Sequence, residues 1–176
     1  MARSLKARAL QWLAQREHSR AELRRKLLAL ALAQDGDRVE APGAEPEQAA
    51  ATVDALLDWL EAAHYLSNER FVESRLHARA ARFGNRRIRD ELKQHQLTLS
   101  PEAARALAEG ELERALGVRA RKFADWPADR AEHARQARFL AGRGFSPETI
   151  TRALRRPAAS EPASDGGSDV EPAGRV

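Results

Sequence analysis

The feature that most constrains this chain is a corner that occurs three times. REHSRAELRRKL at residues 16–27, ARFGNRRIRDEL at 81–92 and RGFSPETITRAL at 143–154 align without a gap. The fourth position of each is Ser19, Gly84 or Ser146, all residue types that serve as helix N-caps. Four residues on stand Leu23, Ile88 and Ile150, and eight on stand Leu27, Leu92 and Leu154. That spacing puts two apolar side chains on one face of a short helix. Just before the cap come His18, Phe83 and Phe145. A bulky group there packs on the fourth helical residue, which suits Phe83 over Ile88 and Phe145 over Ile150 better than His18 over Leu23. Upstream of the cap, Trp12-Leu13 and Phe139-Leu140 match each other, while His77-Ala78 in the middle copy is a weaker match.

A helix with two core residues cannot stand alone, so each corner must dock in a small bundle whose neighbours share its core. The rest of the chain supports helices only. No stretch alternates with period two, and alanine and leucine dominate an apolar content of 43% with just 5% aromatic residues. Ser19 with Glu22 forms a capping-box pattern, and Ser100-Pro101-Glu102 and Ser146-Pro147-Glu148 place proline after a serine cap. The spacing predicts helices over 3–16, 20–33, 48–64, 68–83, 86–95, 101–125, 128–142 and 147–155, the sixth with a break near Gly110 or Gly117. The expected fold is all-α, with tandem three-helix repeats in an elongated, curved array. The expected units are residues 1–64, with a polar linker at 34–47, residues 65–126, and a truncated third at 127–156. Residues 157–176, rich in Pro, Gly, Ser and acids, predict a disordered tail.

Little burial leaves much surface, and that surface is basic. Net charge is +4, but the pI is about 10.1 because arginine dominates the basic side. Arg86, Arg89 and Lys93 fall at i, i+3, i+7 on the middle short helix. Arg75, Arg79 and Arg82 run beside the apolar stripe of the helix before it. With Arg87, these two columns form a candidate anion-binding ridge. The first copy offers Arg16, Arg20 and Arg24, four apart, and the third offers Arg143. The competing reading is a solvated face, with Arg86–Asp90 and Arg87–Glu91 as i, i+4 pairs. Few aromatic residues interleave with these arginines, so base stacking is not indicated there.

Catalytic and metal-binding patterns are missing. There is no cysteine, which removes disulfides, thiolate nucleophiles and Cys-based zinc sites. His18, His64, His77, His95 and His133 lack the i, i+3 or i, i+4 partner of a helical metal site. There is no phosphate-cradling glycine loop and no nucleophile elbow. No apolar run approaches the ~18–20 residues that span a bilayer, and the N-terminus does not read as a secretory signal. The expectation is a soluble cytoplasmic protein without enzymatic activity, cofactor or metal.

The ordered set ALQWLAQREHSRAELRRKL, YLSNERFVESRL, FGNRRIRDEL and FLAGRGFSPETITRAL, over about residues 5–155, resembles the RecX family, the bacterial modulators of RecA. The resemblance implies tandem three-helix repeats and no catalysis. It also implies a partner, the RecA filament on single-stranded DNA, whose growth, ATP hydrolysis and coprotease function such proteins limit. The family pattern covers Gly84, Arg86, Arg87, Ile88, Glu91 and Leu92, and also Arg143, Gly144, Phe145 and Ser146. Gln94-His95-Gln96 departs from it by ending the short helix without a glycine. A monomer with weak direct DNA binding fits the same picture, and a general nucleic-acid-binding module is the alternative.

Overall fold

The structure is a computed structural model and describes residues 4–35 and 46–155. The expected tail and most of the expected linker lie outside the described residues. Among the described residues there are nine helices and no strand: α1 Leu5–Leu13, α2 Arg20–Asp35, α3 Pro46–Ala62, α4 Asn68–Ala80, α5 Asn85–Gln94, α6 Pro101–Glu109, α7 Glu111–Lys122, α8 Arg130–Gly142 and α9 Pro147–Ala153. The ends of the expected linker, 34–35 and 46–47, are helical. None of the described helices is long and apolar enough to cross a membrane.

The helices group by threes around three cores. The first joins Ala9 of α1, Leu23 and Leu27 of α2, Val53, Leu57 and Leu60 of α3, and Leu66. The second joins Phe71 of α4, Ile88 and Leu92 of α5 and Leu107 of α6. The third joins Ala115 and Val118 of α7, Leu140 of α8, Phe145, and Ile150, Ala153 and Leu154 of α9. The repeat positions at four and eight after each cap are therefore core residues in all three units.

The last boundary differs from the expected one. Gly110 both ends α6 and opens α7. The apolar side of α7 then packs on α8 and α9. On sequence alone 101–125 belongs to the second unit and the third is truncated; the packing gives the third unit three helices, α7, α8 and α9. Gly110 has φ −81° and ψ 0°, in the right-handed helical region, and Leu112, Leu116 and Val118 join the core of the third unit.

Two of the three corners are stapled as expected, Phe83 beside Ile88 in the second core and Phe145 beside Ile150 in the third. The first is polar. His18 is buried, with Nδ1 3.1 Å from Glu22 Oε1. Half of the expected capping box forms there: the Glu22 N–H donates to Ser19 Oγ at 3.1 Å. The Glu22 carboxylate instead takes the cations of Arg16 and Lys26. Among the described residues, three turns use left-handed backbone, at His64, Gln96 and Gly144 (φ 58, 60 and 82°). Each sends an apolar residue back into a core within two positions: Leu66, Leu97 and Phe145. The departure at Gln94–Gln96 is thus met by Gln96 adopting the conformation a glycine usually supplies.

Candidate partner-binding surface on the second unit

α5 carries the surface, and the third unit holds α5 by its N-terminus. The first N–H groups of a helix have no partner inside it. Here three successive ones leave the second unit: Gly84 N–H donates to the Arg143 carbonyl (2.9 Å), Asn85 N–H to Glu111 Oε1 (2.9 Å) and Arg86 N–H to the Gly144 carbonyl (3.1 Å). Glu111 is buried. Its Oε2 also accepts from Ser146 Oγ at 2.8 Å and Thr149 Oγ1 at 2.7 Å. Burial alone raises the Glu111 pKa, but the bonds from Asn85, Thr149 and Ser146 outweigh it and hold the carboxyl below its ordinary value. The hydrogen-bond partners of Glu111 are an amide and two hydroxyls.

Backbone passes backbone at this crossing. A Cβ on Gly84 would lie 2.2 Å from the Phe145 nitrogen, and one on Gly144 would lie 2.5 Å from the Arg87 Cβ. Neither position has room for a side chain.

With Ile88 and Leu92 buried, the opposite face of α5 presents Arg86, Arg89 and Lys93, all exposed. Arg82, at the end of α4, is exposed beside them. Among the described residues, none of these four has a carboxylate partner. Arg87 is exposed too, but its guanidinium lies 4.6 Å from the centre of the Phe83 ring. Among the described residues, the Arg86–Asp90 and Arg87–Glu91 pairs of the competing reading do not form. Glu91 is taken by Arg75 and Arg79, each at 3.2 Å. Those two also sit over the Phe71 and Phe83 rings. Arg75 and Arg79 of the second predicted column therefore brace α4 to α5, while Arg82 stays with the first column as a cation without a carboxylate partner among the described residues.

The first-unit candidates are braces as well. Arg24 grips Asp54 with two bonds, at 2.6 and 2.9 Å, and holds its pKa below the ordinary value. Arg20 reaches Asp58 and Glu61, and Arg16 reaches Glu22. Burial raises the Glu22 pKa, but the Arg16 bond and the charges of His18, Arg16 and Lys26 hold it down to about 2. Arg143 donates to the Arg82 carbonyl at 3.3 Å and stacks over Phe139.

Two open grooves flank the free column. One of about 630 Å³ runs between Arg86, Arg87 and Asp90 and the backbone at Gly142 and Gly144. The other, about 420 Å³, lies between Arg86, Arg89 and Asp90 on one side and Glu148 and Arg152 on the other. Arg86 and Asp90 line both. Arg152 was not singled out by sequence reasoning; its signal was its place between Ile150 and Leu154 of the third copy, on the side away from the core.

Comparisons with known proteins agree with this architecture. Residues 109–154, which take in α7, α8 and α9, match the family model described as RecX, third three-helix domain. The regulatory protein RecX of Ralstonia nicotianae is 47% identical over 153 residues, 86% of either chain. That of Herbaspirillum seropedicae is 48% identical over 153 residues, covering 86% of this chain and 89% of the relative. The crystal structure of RecX from Lactobacillus salivarius superposes with a TM-score of 0.59 at 16% identity, over 85% of this chain and 92% of that one; it shows a shared fold. With the repeated corner, the three-core packing and nearly half of the aligned positions in common, the chain belongs to the RecX family.

Proposed function

We propose that this chain binds the filament that RecA forms on single-stranded DNA and inhibits it, limiting filament growth, ATP hydrolysis, recombination and coprotease activity. It acts as a monomeric, non-enzymatic regulator in the cytoplasm and needs no cofactor. Family membership supplies the partner. The observation that carries the site is the column Arg86, Arg89 and Lys93, exposed and without carboxylate partners among the described residues. These cations sit on a helix that the third unit clamps by three N–H groups, so they are held in place before binding and little order is lost on contact. Arginine forks suit both carboxylates and phosphates.

The test is RecA ATPase on single-stranded DNA with the parent and with Arg86→Ala/Arg89→Ala/Lys93→Ala. All three residues are exposed, so the fold should persist within about 0.5 kcal/mol per site. Inhibition should weaken and lose part of its salt dependence. A folded triple variant that inhibits like the parent removes this face from the interface. Tight, steeply salt-dependent binding to bare DNA at the same face would favour the general nucleic-acid-binding module instead. Asp90 between the cations speaks against that, since a carboxylate in the row repels phosphate.

A further inference from the structure

The groove of about 420 Å³ beside the column carries both signs of charge on both of its walls. The α5 wall presents Arg86, Arg89 and Asp90, and the α9 wall presents Glu148 and Arg152. All five are exposed. Arg86 with Asp90 and Glu148 with Arg152 each stand four apart on one helix, the spacing at which ion pairs form. Among the described residues neither pair closes, and no salt bridge crosses the groove.

The walls are fixed by what lies under them. Glu111 of α7 accepts from the Asn85 N–H at the start of α5, at 2.9 Å, and from Thr149 Oγ1 of α9, at 2.7 Å. One buried carboxylate thus ties both walls together. Glu111, Ser146 and Thr149 are bonded to one another, which leaves the five charged side chains to meet a partner. Walls that are set before contact lose little order on binding.

Two signs on each wall select between the two things a basic face can grip. A phosphate backbone offers negative charge alone. Seated on Arg86 and Arg89 it would meet Asp90, and seated on Arg152 it would meet Glu148; each carboxylate repels it. A protein segment that bears both acids and a base answers all five groups, and complementary signs of this kind fix partner and register.

We propose that the groove between α5 and α9 receives a protein segment of mixed charge. Its carboxylates meet Arg86, Arg89 and Arg152, and its Lys or Arg side chain meets Asp90 and Glu148. The proposal rests on the filament reading of this face and sharpens it, since it assigns the face to the protein of the filament and not to DNA phosphates. Asp90 and Glu148 then set specificity, because they reject bare nucleic acid and accept the matched protein surface.

The experiment follows full-length Asp90→Asn/Glu148→Gln in two assays side by side: inhibition of RecA ATPase on single-stranded DNA, and binding to a labelled oligothymidylate without RecA. Both substitutions keep the side-chain shape and remove only charge at exposed positions, so the fold should persist by circular dichroism. Binding to oligothymidylate should hold or strengthen, because two repelling charges are gone. Inhibition should weaken about fivefold, the order of two exposed ion pairs, although the variant is more positive than the parent. A phosphate-binding face does not respond with opposite signs in the two assays. Arg152→Ala should weaken inhibition as well, and an unchanged Arg152→Ala overturns the two-walled groove. Inhibition by the carboxylate variant that equals or exceeds the parent's overturns the proposal, and a rise in both assays puts the face on DNA. Loss of oligothymidylate binding in step with inhibition overturns it too. The Arg86→Ala/Arg89→Ala/Lys93→Ala variant runs alongside. If it inhibits like the parent, the filament reading of the face has failed and the proposal falls with it; a weakened triple variant beside an unaffected carboxylate variant overturns the proposal alone.

Discussion

The joint between the first and second units and the joint between the second and third share one device and differ in everything around it. In both, the first residue of one unit's opening helix turns its side chain back onto the preceding unit. Asn68 Oδ1 accepts from Arg20 N–H at 3.0 Å, and Glu111 Oε1 accepts from Asn85 N–H at 2.9 Å. Arg20 and Asn85 each open the second helix of their units, so each joint satisfies a donor that the helix cannot satisfy itself. The first joint adds side chains only. Ser19 Oγ lies 2.9 Å from His95 Nδ1, and Arg70 pairs with Glu17. The second adds direct backbone bonds, from Gly84 and Arg86 to Arg143 and Gly144. The cap residue makes the difference. Ser19 has an oxygen and caps its own helix; Gly84 has none, and its bare Cα lets a neighbouring backbone supply the bonds.

The largest effect should come from putting a Cβ at that crossing. Gly84→Ala sets a methyl 2.2 Å from the Phe145 nitrogen, against backbone that has no rotamer to change. We expect about 3 kcal/mol of destabilisation, read by chemical denaturation. An unchanged midpoint would show that the second joint is not closely docked. Next is Glu111→Ala, which strands the Asn85 amide and frees two hydroxyls. About 2 kcal/mol is expected for buried donors left without an acceptor. Hydrogen exchange should show the loss at the start of α5. A loss confined to α9 would mean that Glu111 serves its own unit and not the joint.

These joints also mark where the sequence could be read and where it could not. Ile88, Leu92, Ile150 and Leu154 were legible because helix periodicity reports burial within one element. The third-unit boundary was not, because helical propensity continues across Gly110 while the packing partner changes. Arg86, Arg89 and Lys93 were legible as a free column since they oppose Ile88 and Leu92 on a short helix. Arg75 and Arg79 were not distinguishable from them: Glu91, which binds both, was assigned to Arg87 by the i, i+4 rule. An interhelical carboxylate outcompeted the local pair, and spacing along one helix carries no trace of that. Gly84 was legible as a cap but not as a crossing, which depends on residues 59 or more positions away.

The first joint should give way more cheaply. Asn68→Ala removes the acceptor for Arg20 N–H, at a half-buried position, and Ser19→Ala removes the cap of Glu22. Each should cost about 1 kcal/mol, less than either change at the second joint. The comparison sharpens if the Asn68→Ala loss is confined to exchange at the start of α2. It breaks if Asn68→Ala costs as much as Glu111→Ala.

The smallest effect separates the joints by pH. Burial pushes the pKa values of His18 and His95 below the ordinary 6.5. Around His95, Glu22 and Glu91 favour its proton while Arg75 and Arg25 oppose it, and burial prevails. A group whose folded pKa is depressed stabilises the fold above its unfolded value and ceases to as pH falls through its folded value. Both histidines flank the first joint, so its protection should decline as pH drops below 6.5. The second joint relies on Glu111, also depressed, from an ordinary 4.5. Its contribution should persist until pH falls below that value. Hydrogen exchange, corrected for the intrinsic pH dependence of the chemistry, should therefore show the Arg20 amide losing protection between pH 7.5 and 5.5 while those of Gly84, Asn85 and Arg86 keep theirs. His95→Gln should flatten the response at Arg20 and leave that of the Gly84, Asn85 and Arg86 amides unaffected, since His95 lies at the other end of α5. Parallel loss at both helix starts over that range would mean the joints are coupled and open together, and the side-chain joint would then be no weaker in acid than the backbone one.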